Sequence, residues 1–281
     1  MKPSQDDKIS HFIAINMHAF HHPQRVEHAL HSTLLAAAKL RASRDELVKV
    51  ICFINSGNGA EKKPKQPNVD ASLEVRFLHE KSNGASLNRQ IETALADQFT
   101  YFYRVDADDI TDSHRFVHQA QKLRDRYGEI CGGGLTYRNI TTNDAFDVIA
   151  TEHPRTQDYL ANCYFLHPVI AFNLSAISKS GLRYWHQRLE DQHLALQARE
   201  LGLRVYNDPH IYGVYNLDPE ARNSKQSSDL SLRLNISFLK ASGERWKLPA
   251  AWGIYLMSRL FSSQRMRNIR QKLRSVRGKR I

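Results

Sequence analysis

Apolar positions along this chain follow two periods, and the two alternate. Short runs dense in β-branched and aromatic residues, HFIAINM (11–17), ELVKVICFIN (46–55), LEVRFLH (73–79) and FTYFYRV (99–105), predict strands. Between them, PQRVEHALHSTLLAAAKL (23–40) and SLNRQIETALADQ (86–98) carry apolar residues at helical spacing, the first with Pro23 in a first-turn position. Strands alternating with helices imply an α/β fold, a mostly parallel sheet with helices on both faces. In such sheets ligands collect beyond the carboxyl ends of the strands.

The second half is less regular. HRFVHQAQKLRDRYG (114–128) predicts a helix and EICGGGLTYRN (129–139) a strand with a turn, while residues 140–168 show no clear period. A helix from about Glu190 to Leu201 stops at Gly202, the usual residue just past a helix end, and LRVYNDPHIYGVYN (203–216) returns to strands. From Asn223 onward the pattern is helical, through SSDLSLRLNISFLKASG (227–243) and LPAAWGIYLMSRLF (248–261). The expected division is a domain over residues 10–218 and a helical, basic segment over 219–281.

Charge sharpens that division. Of the formal net charge of +11, QRMRNIRQKLRSVRGKRI (264–281) carries eight Lys and Arg and no acid, so the body is close to neutral. A basic tail seeking an anionic surface fits this asymmetry better than a nucleic-acid-binding core, since no aromatic-interleaved recognition motif accompanies the charge. Joined to Trp252, Tyr255, Leu256, Leu260 and Phe261, the tail reads as an interfacial helix with a polybasic extension. The bland alternative has those apolar residues capping the preceding domain. The opening MKPSQDDKIS has no apolar core of a secretory signal, and no apolar run reaches the roughly 18 residues that span a bilayer. The three cysteines lack zinc-site spacing and read as reduced thiols. A cytoplasmic protein is expected, peripheral on the inner face of the plasma membrane.

Two stretches carry candidate chemistry. In YFYRVDADDITDS (101–113) an apolar run ends in Asp106, Asp108 and Asp109. Crowded carboxylates repel one another and are costly unless a cation or donor-rich group neutralises them, so something positive is expected there. A calcium loop fails, because Thr111 stands where such loops need Gly and Val117 where they need a bidentate Glu. A solvated acidic turn and a divalent-cation site holding a diphosphate both remain. In RLEDQHLALQARELGLRVY (188–206), Glu190 and Asp191 open a helix. They either complement the macrodipole or supply a base that the dipole keeps anionic.

Taken in order, MHAFHHPQRVEHALHS (17–32), NGASLNRQIETALADQFTYFYRVDADD (83–109) and LHPVIAFNLSAISKSGLRYWHQRLEDQHLALQARELGLRVY (166–206) resemble the inverting family 2 glycosyltransferases of the GT-A fold, bacterial surface-polysaccharide type. The resemblance spans roughly residues 10 to 215. It implies a nucleotide-sugar site with Phe20, Asn55, Arg89 and Asp106, and Asp108 as the ligand of Mg2+ or Mn2+. It makes Asp191 the catalytic base, with Glu190 beside it shaping the acceptor site and His167 on the acceptor side. Asn55 stands where the family usually has an Asp that pairs with uracil, so UDP is the expected nucleotide with an altered base contact. The implied partners are a nucleotide-sugar donor, a glycan or lipid-linked acceptor and, for the tail, an anionic membrane. Two other classes fit parts of the pattern: a metal-dependent nucleotidyltransferase, which would release pyrophosphate, and a non-catalytic nucleotide-sugar-binding homologue.

Overall fold

The computed structural model describes residues 9–260 apart from 19–21, 45, 57–63, 65–66, 68, 70–71, 156–157, 160–163, 187–188, 218–225 and 242. The chain runs through β1 (Ser10–His18), α1 (Pro23–Arg44), β2 (Leu47–Asn55), β3 (Leu73–Leu78), α2 (Asn83–Ala96) and β4 (Tyr101–Asp106). These four strands lie side by side in the order β3-β2-β1-β4, all parallel. Their bounds fall within about two residues of the expected ones, because β1, β2 and β4 are nearly continuous buried apolar runs and the edge strand β3 alternates apolar and polar residues.

Beyond β4 come β5 (Ile110–Thr111), α3 (Arg115–Arg124), β6 (Ile130–Asn139), β7 (Ala145–Val148), a 3-10 turn at His167–Val169, β8 (Ala171–Asn173), α4 (Leu174–Ser180), α5 (Glu190–Glu200) and β9 (Val205–Leu217). Here the sheet mixes its directions. The three-residue β8 lies antiparallel between β4 and β6, β6 runs parallel to β9, and β5 and β7 add short antiparallel pairings. Residues 203–216, expected as more than one strand, lie almost wholly in the 13-residue β9, which absorbs register shifts against β6. The region without a clear period contains β7 and the 3-10 turn, both too short to imprint a period.

Helices divide the core in two. On one face α2, α4 and α5 cover Phe12, Phe53, Phe102 and Phe172; on the other α1 and α3 cover Ile13, Ile15, Tyr103 and Val105. Period-2 alternation along β4 therefore sends Phe102, Arg104 and Asp106 toward the α2 face and Tyr101, Tyr103 and Val105 toward the other. Two further helices, α6 (Gln226–Ala241) and α7 (Leu248–Leu260), follow. α6 buries Leu232, Phe238 and Leu239 in the same core as α5, and Gln192 Nε2 donates to Asn235 Oδ1 at 2.9 Å. α7 buries Ala251 but leaves Trp252 48% and Leu256 53% exposed, with Trp246 just before it 76% exposed. Of the apolar residues that the bland alternative has capping the domain, Tyr255 packs against its core while Trp252 and Leu256 are exposed. Among the described residues, no helix is long and apolar enough to cross a membrane. Phe20, Cys163 and the basic run 264–281 lie outside the described residues.

Candidate active site

The acidic cluster sits where the sheet ends. Asp106 is the last residue of β4 and pairs in register with Asn16 of β1. Its neutralising cation comes from its own strand: Arg104 Nη2 lies 2.7 Å from Asp106 Oδ1. Two positions apart on a strand means the same face, so the sequence itself brings the pair together. Asp109 points inward and is almost fully buried, accepting the backbone N–H of Asn216 in β9 at 3.2 Å. Burial pushes its carboxyl well above the usual range, with Asp106 and Asp108 adding to the rise. Asp108 stays half-exposed in the turn, its carbonyl held by the Asn216 side chain. The three carboxylates thus divide: one ion-paired, one turned into the fold, one facing outward.

A chain of amides links this sheet edge to the acid pair. Asn16 is buried on β1, where Gln90 Nε2 of α2 donates to its Oδ1 at 2.9 Å, and its Nδ2 donates to Asn83 Oδ1 at 3.1 Å. Asn83, the first residue of α2, donates in turn to Glu190 Oε1 at 2.5 Å. His18 Nε2 lies 3.2 Å from the same Asn83 oxygen. Ser82 caps α2, accepting from the Ala85 N–H. Gly84 lets the helix start where it does: a Cβ there would stand 1.8 Å from the Trp185 carbonyl oxygen. The backbone of α2 therefore rests directly on the segment that leads to Glu190.

Leu189 enters α5 in the left-handed region, at φ 66°, ψ 34°, uncommon for a branched residue and costing of order 1–3 kcal/mol. The turn sets Glu190 and Asp191 at the helix start, both half-buried. Asp191 departs from the dipole expectation. Its carboxyl is raised, first by burial and then by the Glu190 charge, and the Gln192 N–H at 2.8 Å and Arg104 only partly oppose this. Desolvation outweighs the helix end here.

His167 stands close by. Its Nε2 lies 3.0 Å from the Tyr184 hydroxyl, and Tyr184 is itself fixed by mutual hydrogen bonds between its backbone and the Asn88 amide. Burial, reinforced by Arg104, pushes the imidazole well below its ordinary value, so it is neutral near pH 7. Burial also lifts the Cys52 thiol to about 12, consistent with an inert role.

Two other predicted residues lie apart from this centre. Asn55, at the end of β2, has its amide engaged on both sides by the Glu80 backbone, at 3.1 and 3.2 Å. That pairing fixes the side chain and leaves one N–H and one lone pair of the amide over. Arg89 lies on the outer face of α2, 3.5 Å from Glu80 and 3.2 Å from Glu92, lining an open cavity of about 310 Å³ with Asn88, Arg183 and His186. Asn16, Asn83, Arg104 and Tyr184 were missed by sequence reasoning. Two carried a signal: a polar Asn16 inside HFIAINM and a charged Arg104 inside FTYFYRV, each interrupting a buried strand.

Among the described residues, no group of three His, Cys, Asp or Glu side chains is gathered tightly enough to hold a metal ion. The donor set still fits Mg2+ or Mn2+, hard cations commonly bound through one or two carboxylates plus substrate phosphates and water. Asp108, half-exposed in the turn beyond β4, is the carboxylate of this cluster nearest solvent.

The architecture is the GT-A-like α/β fold, a curled, mostly parallel sheet flanked by helices with the site at its carboxyl edge. S. aureus TarS, residues 1–349 in complex with UDP-GlcNAc, is similar over 89% of this chain and 73% of that one, at 12% identity and a TM-score of 0.61. The mannosyltransferase PcManGT from Pyrobaculum calidifontis, solved with GDP-Man and Mn2+, is similar over 95% of this chain and 80% of that one, at 12% identity and a TM-score of 0.56. No protein-family model matches the sequence, and no curated protein does.

Proposed function

We propose that the chain is a metal-dependent, inverting glycosyltransferase of the hexosyltransferase kind, related to family 2. Its catalytic unit is residues 10–218. It moves a sugar from a nucleotide donor, expected to be a UDP-sugar, to a glycan or lipid-linked acceptor in bacterial surface-polysaccharide assembly, lipopolysaccharide included. The observation that carries this reading is the Asn16–Asn83–Glu190 chain, which joins the carboxyl edge of the sheet to the acid pair of α5 in one site. Similarity of fold to proteins solved with UDP-GlcNAc and with GDP-Man and Mn2+ supports it.

In this mechanism Asp106, fixed by Arg104, and Phe20 bind the nucleoside, with Asn55 and Arg89 shaping the surrounding wall. Asp108 holds the divalent cation, which when bound neutralises charge on the leaving diphosphate. Asp191 takes the proton of the acceptor hydroxyl as it attacks the anomeric carbon from the face opposite the leaving group, which inverts that centre. Raised proton affinity suits this step, because proton transfer is favoured as the base approaches the working pH. Glu190, held by Asn83, borders the acceptor, and neutral His167 offers a ring nitrogen to it.

Screening nucleotide sugars with Mn2+ for transfer or slow donor hydrolysis tests the reading. Asp191→Asn should lower kcat about 10²-fold or more with donor affinity kept, Glu190→Gln should lose less, and Asp108→Ala should abolish the metal-dependent rate. Pyrophosphate in place of nucleoside diphosphate would overturn the assignment in favour of nucleotidyl transfer. Tight donor binding with no turnover would leave a binding homologue.

The segment 219–281 is proposed to hold the enzyme against an anionic leaflet, on the cytoplasmic side. The outward Trp246, Trp252 and Leu256 would sit at the interface, followed by the basic run of the sequence.

A further inference from the structure

Two long polar side chains lie inside the core under α3. Arg115 and Gln119, one turn apart on the buried face of that helix, are 2% and 0% exposed. Burial lowers the Arg115 guanidinium to about 9, so it is still charged at neutral pH but held there at a cost. Their hydrogen bonds run to each other and to the backbone. Arg115 Nε donates to Gln119 Oε1 at 3.0 Å and its Nη2 to the Arg104 carbonyl at 2.5 Å. Gln119 Nε2 donates to two carbonyls at once, Val169 at 2.7 Å and Cys131 at 3.1 Å.

Those three carbonyls belong to three different elements: β4, β6 and the 3-10 turn that begins with His167. They meet where β8 runs out. β8 pairs with β4 only over Tyr101–Tyr103 and with β6 only at Ile130 and Cys131, and the chain just before it is the turn rather than more strand. Arg104 lies one residue past that pairing; its N–H still finds the Ile170 carbonyl at 3.1 Å, but its own carbonyl is met by Arg115. Side chains of α3 thus supply the donors that a longer β8 would have supplied from its backbone. Apolar residues at 115 and 119 would leave buried carbonyls without partners on all three elements.

We propose that Gln119, backed by Arg115, is a positioning residue that fixes the turn carrying His167 against the strand that ends in Asp106. Through this bracket the histidine on the acceptor side and the carboxylate on the donor side keep one geometry, although β4 and the turn share only a short ladder. The assignment of the two sides rests on the glycosyltransferase reading; the bracket itself is a set of contacts and does not depend on turnover. Its effect on catalysis is indirect, since a displacement of about 1 Å in a group that faces substrate can cost about 10²-fold in rate. Gln119 reaches the turn at Val169, two residues from His167, whose Nε2 meets the Tyr184 hydroxyl.

The test reads His167 and needs no substrate. In the full chain the imidazole, assigned with His167→Asn, is titrated by NMR in the wild type, Gln119→Met and Leu123→Ala. Burial is what holds it low, and the charged or titratable groups facing it are Arg104 and the Tyr184 hydroxyl. Gln119→Met keeps the length of the side chain and removes both donors. The turn should loosen, water should reach the ring, and the midpoint should rise toward 6.5 by about half a unit or more. Leu123→Ala, buried on the same helix outside this network, should lower the thermal midpoint and leave the titration within about 0.2 units of wild type. A Gln119→Met titration within about 0.2 units of wild type, or an equal rise in Leu123→Ala, would overturn the proposal. If Gln119→Met fails to fold, Arg115→Met with Gln119→Met removes both polar partners and is read against the same limits. Where turnover is present, Gln119→Met should raise the KM for acceptor about tenfold with the KM for donor kept, a split that a merely destabilised fold would not give. Absence of turnover in the wild type would overturn the enzymatic reading and leave the titration to decide this one.

Discussion

At the scale of single residues, the site is governed by desolvation more than by pairing. His167 shows it most simply. A histidine whose folded value lies below its unfolded value of 6.5 contributes stability that is complete above about 6.5 and is lost as pH falls toward the folded value. Each such group costs about 1.4 kcal/mol per pH unit across that window. His11, bonded to Glu46 and to the Tyr103 hydroxyl at 2.9 Å but shifted downward by burial, acts in the same direction. The thermal midpoint of the wild type should therefore fall between pH 7 and 5.5. His167→Asn should fall less steeply, since one of the proton-excluding histidines, a group that also includes His118 and His193, is gone. Parallel curves for the two proteins would rule this account out. Asp191 obeys the same burial logic with the opposite sign; as the proposed base, its raised value should place the loss of activity at a higher pH than a solvated aspartate would.

At the scale of elements, the contact between α2 and the Trp185 segment decides whether the site exists. Gly84→Ala would force the helix start away from the Trp185 carbonyl by more than side-chain adjustment allows, because the obstacle is backbone. Overpacking of this kind costs about 1–3 kcal/mol, and Asn83 would no longer reach Glu190. Ser82→Ala, which removes the cap at a cost of about 1 kcal/mol, is the control. Gly84→Ala should lower both the thermal midpoint and kcat, whereas Ser82→Ala should lower only the midpoint. Equal kcat losses would mean that the helix cap, not the close approach, positions the site. The same elements show what a sequence reveals and what it hides. β1, β2 and β4 were legible because each is a largely buried apolar run, and β3 because apolar and polar residues alternate along LEVRFL. Asp106 and Asp108 were legible because charge at a strand end is conspicuous. β8 was not, since a three-residue strand imprints no period. Nor was the role of Asn83, which depends on a partner 107 positions away.

For the whole molecule, charge and apolar surface coincide at the C-terminal end. The outward side of Trp246, Trp252 and Leu256 is followed by residues rich in Lys and Arg, each worth about 1 kcal/mol near an anionic leaflet. The protein should co-sediment with vesicles containing phosphatidylglycerol and not with phosphatidylcholine alone. Binding should weaken as salt shortens the Debye length below about 10 Å. Replacing Trp252 and Leu256 with Ser should reduce partitioning several-fold without changing hydrolysis of donor in solution. Retained binding in that variant would assign the attraction to charge alone.

The three-residue β8 has a consequence in time as well as in space. It is the splice between the parallel strands β3-β2-β1-β4, which carry Asp106, and the mixed half beyond. A chain emerging from its amino end completes the half that carries Asp106 some 60 residues before β8 exists to join it to the rest, and about 80 before the acid pair. Pairings this distant in sequence form late, because the loop entropy precedes any contact that offsets it. Refolding from denaturant should accordingly restore burial of the Phe102 neighbourhood before catalytic turnover. Recovery of both in one phase would show that the two halves assemble as a single cooperative unit.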